Sequence, residues 1–145
     1  MSSTNDRVSA IFKLEQQVVE LLNLQGWKLK HTGDSYLPYD ALGYTPKGQK
    51  CIVEMKFRDT YYETKILEVF KFNKLRQFSD DILKFYYVSD PKGSYWYLIN
   101  NLDNLQVDTL YCPKSTMWDN EKQNKSVFLL KESQAIAKYN HYATT

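Results

Sequence analysis

The sequence has few of the residues that soft-metal and redox chemistry need. Among its 145 residues are two histidines, His31 and His141, and two cysteines, Cys51 and Cys112. Zinc sites and histidine-centred nucleases gather several imidazoles in one place, so this scarcity argues against both. Two cysteines do not make a disulfide framework, and Cys51 falls on the apolar face of a predicted strand, where a reduced thiol packs as a small hydrophobe. No apolar run approaches the length that crosses a bilayer, and the first residues, Met1 to Arg7, lack the apolar stretch of a signal peptide. The expectation is a cytoplasmic protein with no membrane partner. Repeats, low-complexity segments and linkers are missing too. That leaves residues 1–145 as one domain, long enough to bury about two thirds of its unfolded surface around a single core.

A marked excess of either charge is also lacking. The net charge of +2 does not by itself mark a nucleic-acid binder, so the distribution of charge carries the information. From Lys56 to Arg76 the cations are Lys56, Arg58, Lys65, Lys71, Lys74 and Arg76, against Asp59, Glu63 and Glu68. What the sequence does have is ordinary globular composition, 43% apolar and 25% charged, with an aromatic share of 15% that includes twelve tyrosines.

The stretch Tyr39 to Arg58 reads as a β-hairpin: a strand from about Asp40 to Tyr44, a turn through Thr45-Pro46-Lys47-Gly48-Gln49, and a strand from about Lys50 to Phe57. Side chains alternate across a strand, so Cys51, Val53, Met55 and Phe57 share an apolar face. Ile52, Glu54, Lys56 and Arg58 share the other. Glu54 beside Lys56, with Asp40 returning on the neighbouring strand, makes a site of two acids and one base. Two carboxylates can hold a hard divalent cation, and a nearby ammonium can act on a water or a phosphate oxygen.

Pro38-Tyr39-Asp40 followed by Glu54-Met55-Lys56 resembles the PD-(D/E)xK nuclease superfamily, whose core places an Asp on one strand and Glu-x-Lys on the next. Tyr39 stands between the Pro and the Asp, so the motif is met in its looser Pro-x-Asp form. The chain holds two other acidic-x-Lys tripeptides, Glu63-Thr64-Lys65 at a predicted helix start and Asp90-Pro91-Lys92 in a turn. Neither has an Asp on a strand before it. The resemblance implies an α/β fold of the restriction-endonuclease-like kind, a central mixed β-sheet flanked by helices, and it covers about residues 11–88.

A first helix is predicted from about Ser9 to Gln25, with Ile11, Leu14, Val18, Leu21 and Leu22 at helical spacing and Gly26 placed to end it. Glu15 and Glu20 lie on it, and a helical Glu is most often solvated surface. In the archaeal Holliday-junction-resolvase branch of the superfamily, an acidic residue precedes a Gly-aromatic pair by about three helical turns. Glu15 stands at that distance from Gly26-Trp27, which makes it the auxiliary metal ligand, direct or through water, with Glu20 as the fallback. Trp27, Leu29 and His31 alternate as a short strand, and the loop from Gly33 to Pro38 leads to Asp40. Asp34 in that loop is a rival acid, though a turn-forming Asp after Gly is the plainer reading.

Beyond the hairpin, a second helix is predicted from about Glu63 to Asp80, with Lys71, Lys74 and Gln77 close together on a side away from its apolar stripe. Strands follow at Leu83–Val88 and Tyr95–Ile99, a helical or turn segment at Asn100–Leu105, a strand at Val107–Tyr111, a long loop from Pro113 to Lys125, a strand at Val127–Leu130 and a short helix from Glu132 to Tyr142.

By resemblance, Asp40, Glu54, the Met55 backbone carbonyl and Glu15 would hold Mg²⁺ or Mn²⁺. Lys56 would orient the attacking water or contact the phosphate, making Asp40, Glu54, Lys56 and Glu15 the catalytic set. Arg58, Lys71, Lys74 and Gln77 would face a phosphate backbone. The implied activity is metal-dependent endonucleolytic cleavage of DNA, structure-selective, leaving a 5′-phosphate and a 3′-hydroxyl, in a homodimer. The alternatives are a nucleic-acid- or protein-binding module that keeps the fold without the chemistry, and a small structural protein.

Overall fold

A computed structural model describes residues 4–33, 37–113 and 122–141. The first helix, α1 (Thr4–Leu24), starts a turn earlier than its apolar spacing suggests and stops where the sequence predicts. Its end is a Schellman motif: the Gly26 N–H donates to Asn23 O, the Trp27 N–H donates to Leu22 O, and Gly26 takes a φ of 103°. That left-handed backbone is why a glycine stands there. The Asn23 amide then clamps the next strand, donating to Leu29 O at 3.0 Å and accepting from Leu29 N at 2.8 Å.

Strands β1 (Lys28–His31), β2 (Ala41–Tyr44) and β3 (Lys50–Phe57) form an antiparallel meander whose second turn is the predicted hairpin. A crossover then carries the chain to β5 (Leu83–Asp90), which pairs with β3 in parallel, and β6 (Gly93–Leu98) returns antiparallel to β5. With β9 (Ala137–Asn140) on the far edge, the six-stranded mixed sheet runs β1-β2-β3-β5-β6-β9.

Inside the crossover the sequence reading needs correction. The helix predicted from Glu63 is a strand, β4 (Thr64–Glu68), followed by a two-turn helix, α2 (Val69–Arg76). Lys65 and Leu67 point inward and Ile66 and Glu68 outward, so the local period is two, and the hydrophobic stripe counted for a helix mixed two elements. β4 joins β8 (Lys122–Lys131) and β7 (Gln106–Pro113) in a second, antiparallel sheet ordered β4-β8-β7. The predicted C-terminal helix is corrected as well: one 3₁₀ turn, Glu132–Gln134, leads into β9, which forms because β6 offers it a free edge. The segment predicted from Asn100 is a single 3₁₀ turn, Ile99–Asn101. Both final strands run longer than their apolar centres, and of the predicted Pro113–Lys125 loop, residues 122–125 lie in β8 while 114–121 lie outside the described residues. Asp34 also lies outside them.

The two faces of the main sheet bury separate cores. Cys51, Val53 and Met55 pack with Val19 of α1, Leu29, Ala41, Phe85, Tyr87 and Trp96. Ile52, Tyr86, Val88, Tyr95 and Tyr97 pack on the other face with Leu67, Leu75 and Leu130. The predicted division of β3 into Cys51/Val53/Met55 and Ile52/Glu54/Lys56 faces is therefore the division between two cores. Burial pushes the Cys51 thiol up to about 11, so it is an inert core group.

Candidate active site

The site is built where β1 and β2 end beside the middle of β3. Asp40 sits one residue before β2. Its N–H donates to Val53 O at 2.8 Å and its carbonyl accepts from Thr32 N at 2.7 Å, so the backbone on both sides is held by neighbouring strands. One carboxylate oxygen, Oδ2, accepts from the Met55 N–H at 2.8 Å. The Thr32 hydroxyl donates to Tyr39 O at 2.9 Å and locks the approach. A loop acid thus gains the rigidity of a strand residue.

Glu54 points from the middle of β3 into the crossover face and is 6% exposed. Its Oε1 accepts from the Lys71 ammonium at 3.2 Å. Burial pushes its carboxyl up to about 8; Lys71 draws it down, and Asp40 adds to the rise. Two neighbouring carboxylates resist ionising together, and one lysine does not offset both their repulsion and their desolvation. The Lys71 ammonium responds in kind: burial, the largest single influence, lowers its pKa, but Glu54 together with Tyr86 and Asp40 outweighs it and the net shift is upward. Lys56, two residues along β3, is pulled down to about 8 by burial and by the positive charges of Arg58 and Lys71, with Glu54 and Glu68 working the other way. It carries a proton that it can give up near neutral pH.

Glu15 reaches the site from α1, 4% exposed. Burial and the Asp40 charge raise its carboxyl to about 6, while His31 stabilises the ionised form. The two meet at 2.7 Å between His31 Nε2 and Glu15 Oε1. Gly33 makes room for them: a β-carbon there would stand 2.2 Å from Glu15 Oε1 and 2.6 Å from His31 Nε2.

The structure thus sets Asp40 beside Glu54, with Lys56 two residues along β3 and Glu15 reaching Asp40 from α1, while the Met55 N–H, not its carbonyl, is the backbone group seen in contact with an acid. Glu20 is exposed on α1 and outside this group. Arg58 borders it, its N–H donating to Ser89 O at 2.7 Å. Lys74 and Gln77 face solvent, the Lys74 ammonium lying 4.7 Å from the centre of the Phe70 ring. Lys71 differs from both. The prediction grouped it with them as a backbone contact, yet it enters the carboxylate cluster.

Sequence reasoning also missed His31, Gly33 and Tyr86, whose hydroxyl donates to Ile66 O at 2.8 Å beneath the site and whose pKa burial raises to about 12. The one usable signal was His31 on a strand that feeds the Asp40 loop. Among the described residues no three His, Cys, Asp or Glu side chains are spaced to enclose a metal ion. The Asp40–Glu54 pair still fits a hard divalent cation of the Mg²⁺ kind, which binds through one or two carboxylates and keeps several waters. The fit rests on the placement of the two acids, Asp40 with one oxygen held by the Met55 N–H and Glu54 adjoining it on the neighbouring strand.

No protein-family model and no curated protein matches this chain. Among solved structures it is similar to Hjc, a Holliday junction resolvase from the archaeal hyperthermophile Archaeoglobus fulgidus, with a TM-score of 0.57 and 13% identity over 88% of each chain. No helix among the described residues is long and apolar enough to cross a membrane. The chain therefore shares the fold of that resolvase, a central mixed sheet flanked by helices and, here, by a second sheet of three strands.

Proposed function

We propose that this protein is a metal-dependent endonuclease that hydrolyses phosphodiester bonds in DNA, selecting its substrate by structure and leaving a 5′-phosphate and a 3′-hydroxyl. The observation that carries the reading is the meeting of Asp40 and Glu54, two adjoining acids, with Lys56 and Lys71 at one end of the hairpin. Asp40, Glu54 and the Met55 carbonyl would hold Mg²⁺ or Mn²⁺, with Glu15 taking part directly or through water. When bound, the ion supplies positive charge to the phosphate and lowers the pKa of a water molecule.

The chain's own residues have separate tasks. Asp40 stays aligned because Met55 N–H holds one of its oxygens. Glu54 has to be ionised to bind a cation, and Lys71 is the neighbouring group that favours that charge. Lys56 orients the attacking water or contacts the phosphate, and its lowered pKa allows it to exchange a proton at neutral pH. Lys71 and Arg58 face phosphate charge next to the cut. The likeness to a Holliday junction resolvase favours recognition of a DNA shape such as a junction, flap, nick or end over a long base sequence. A cytoplasmic homodimer that makes paired cuts fits this reading.

The test is incubation with plasmid, branched DNA and RNA, with and without Mn²⁺. Cleavage should require the ion and disappear in Asp40→Ala and Glu54→Ala; if those variants cut as fast as the parent, the assignment fails. One observation favours a second reading, a non-catalytic nucleic-acid-binding module: Glu54 already has Lys71 as an ion-pair partner, as a residue does when an ion pair has replaced a metal. Such a module would bind DNA in a salt-sensitive way that EDTA leaves unchanged.

A further inference from the structure

The face of β3 that carries Glu54 continues toward the start of the strand and across β2 and β1. Lys28 pairs directly with Tyr44, and Tyr44 with Lys50. In the next row Lys30 pairs with Leu42, and Leu42 with Ile52. Directly opposed residues share a face, and so do residues two apart along a strand. Lys28, Lys30, Tyr44 and Lys50 therefore lie on the same side of the sheet as Glu54. All three lysines are exposed, and the Tyr44 side of the sheet is open, with Tyr44 47% exposed. They line a shallow concavity of about 480 Å³ that has no acidic residue in its wall. Among the described residues none of the three lysines forms an ion pair.

We infer that this face is a second binding surface, for a single-stranded stretch of nucleic acid that runs out of the active site. The lysines take the phosphates and Tyr44 takes the face of one unpaired base. An unpaired strand is favoured over a duplex because a paired base has both faces covered by its neighbours and offers none to Tyr44, whereas aromatic stacking is how proteins hold single strands without reading sequence. Lys50 is four residues from Glu54 on one strand, about 13 Å at the usual rise. The surface thus meets the substrate a few nucleotides from the scissile phosphate. This inference rests on the nuclease reading for its polarity toward the cut, and it makes the preferred substrate one with an unpaired segment.

The test uses the full chain in EDTA and measures anisotropy of a fluorescent oligodeoxythymidylate and of a blunt duplex of equal charge. Tyr44→Leu should weaken binding of the single strand by about tenfold and leave the duplex unchanged. The triple variant Lys28→Gln, Lys30→Gln, Lys50→Gln should reduce the slope of log affinity against log salt by about 2 for the single strand. Circular dichroism and melting serve as the folding check; the four side chains are exposed, so neither should move. Parent-like binding in both variants overturns the inference, as does a parent that binds no single strand. Cleavage separates this outcome from the fate of the nuclease reading. Metal-dependent cutting that vanishes in Glu54→Ala while the surface variants bind like the parent sinks only the surface. A protein that cuts nothing yet shows both binding losses sinks only the nuclease reading.

Discussion

Two lysine–carboxylate pairs face the crossover side of the main sheet, and they differ in everything but their chemistry. Lys65 and Asp90 meet at 2.9 Å with side chains 3% and 1% exposed. The ammonium lies between the Tyr61 and Tyr95 rings, 4.3 and 4.1 Å from their centres, and donates to Tyr62 O as well. Asp90 spends its other oxygen on the Lys92 and Gly93 N–H groups of the β5–β6 turn. Every donor and acceptor in that pair has a partner, and the pair ties β4 to the main sheet. Lys71 and Glu54 meet at a longer 3.2 Å, with the lysine 39% exposed, and Asp40 crowds the carboxylate. A buried ion pair that is fully hydrogen-bonded holds a fold in register; one that leaves an acid short of positive charge is prepared for something else to arrive.

That contrast can be broken most sharply by truncating the acids. Glu54→Ala should lower metal-dependent cleavage by about a hundredfold or more while the protein still melts cooperatively. Asp90→Ala should do the opposite, costing about 3–5 kcal/mol of stability by leaving the buried Lys65 with only the more distant Glu132 carboxylate, 3.9 Å away, as counter-charge, read as a large fall in melting temperature. If Asp90→Ala melts like the parent, the distinction between the pairs is wrong.

Lys71→Gln comes next in size. If Glu54 holds the ion as proposed, the lysine competes for it, so its removal should tighten Mn²⁺ binding several-fold, followed by calorimetry, while cleavage should fall with the loss of the proposed phosphate contact. Weaker Mn²⁺ binding would show that Lys71 organises Glu54 instead of competing for it.

A smaller effect is expected in pH. The folded Glu54 carboxyl sits at about 8 against an ordinary 4.5, so its contribution to stability is full below 4.5 and is lost as pH rises through about 8. Glu15 adds a loss in the same direction, complete by about pH 6. Lys56 works oppositely and higher: its penalty is full below about 8 and is relieved as pH climbs toward 10.5. In EDTA the melting temperature should therefore decline between pH 5 and 8, and Glu54→Gln should flatten that decline. An unchanged slope in the variant would place the titration elsewhere.

The least effect belongs to Gly33→Ala, which should weaken cleavage only if Glu15 acts at the metal. Its β-carbon displaces the Glu15–His31 pair and leaves Asp40 and Glu54 where they are. Mn²⁺ affinity measured beside cleavage tells a ligand from a scaffold.

How far the sequence could be read depended on distance along the chain. The hairpin, its two faces, α1 and the Gly26 stop come from period, turn residues and capping, all set by neighbours a few residues apart. The expectation of Glu54 and Lys56 on one face follows from the same period of two. β4 escaped notice because a short strand running into a short helix mimics one longer amphipathic helix. β9 could not be foreseen, since Ala137–Asn140 has no strong strand character and takes its form from the edge of β6. The approach of Lys71 to Glu54 and of His31 to Glu15 joins residues 17 and 16 apart through packing. Local sequence thus determined which side chains each element offers and on which face; only tertiary structure decided which of them meet, because burial and charge proximity, the causes of every perturbed group in the site, exist only after the elements have docked.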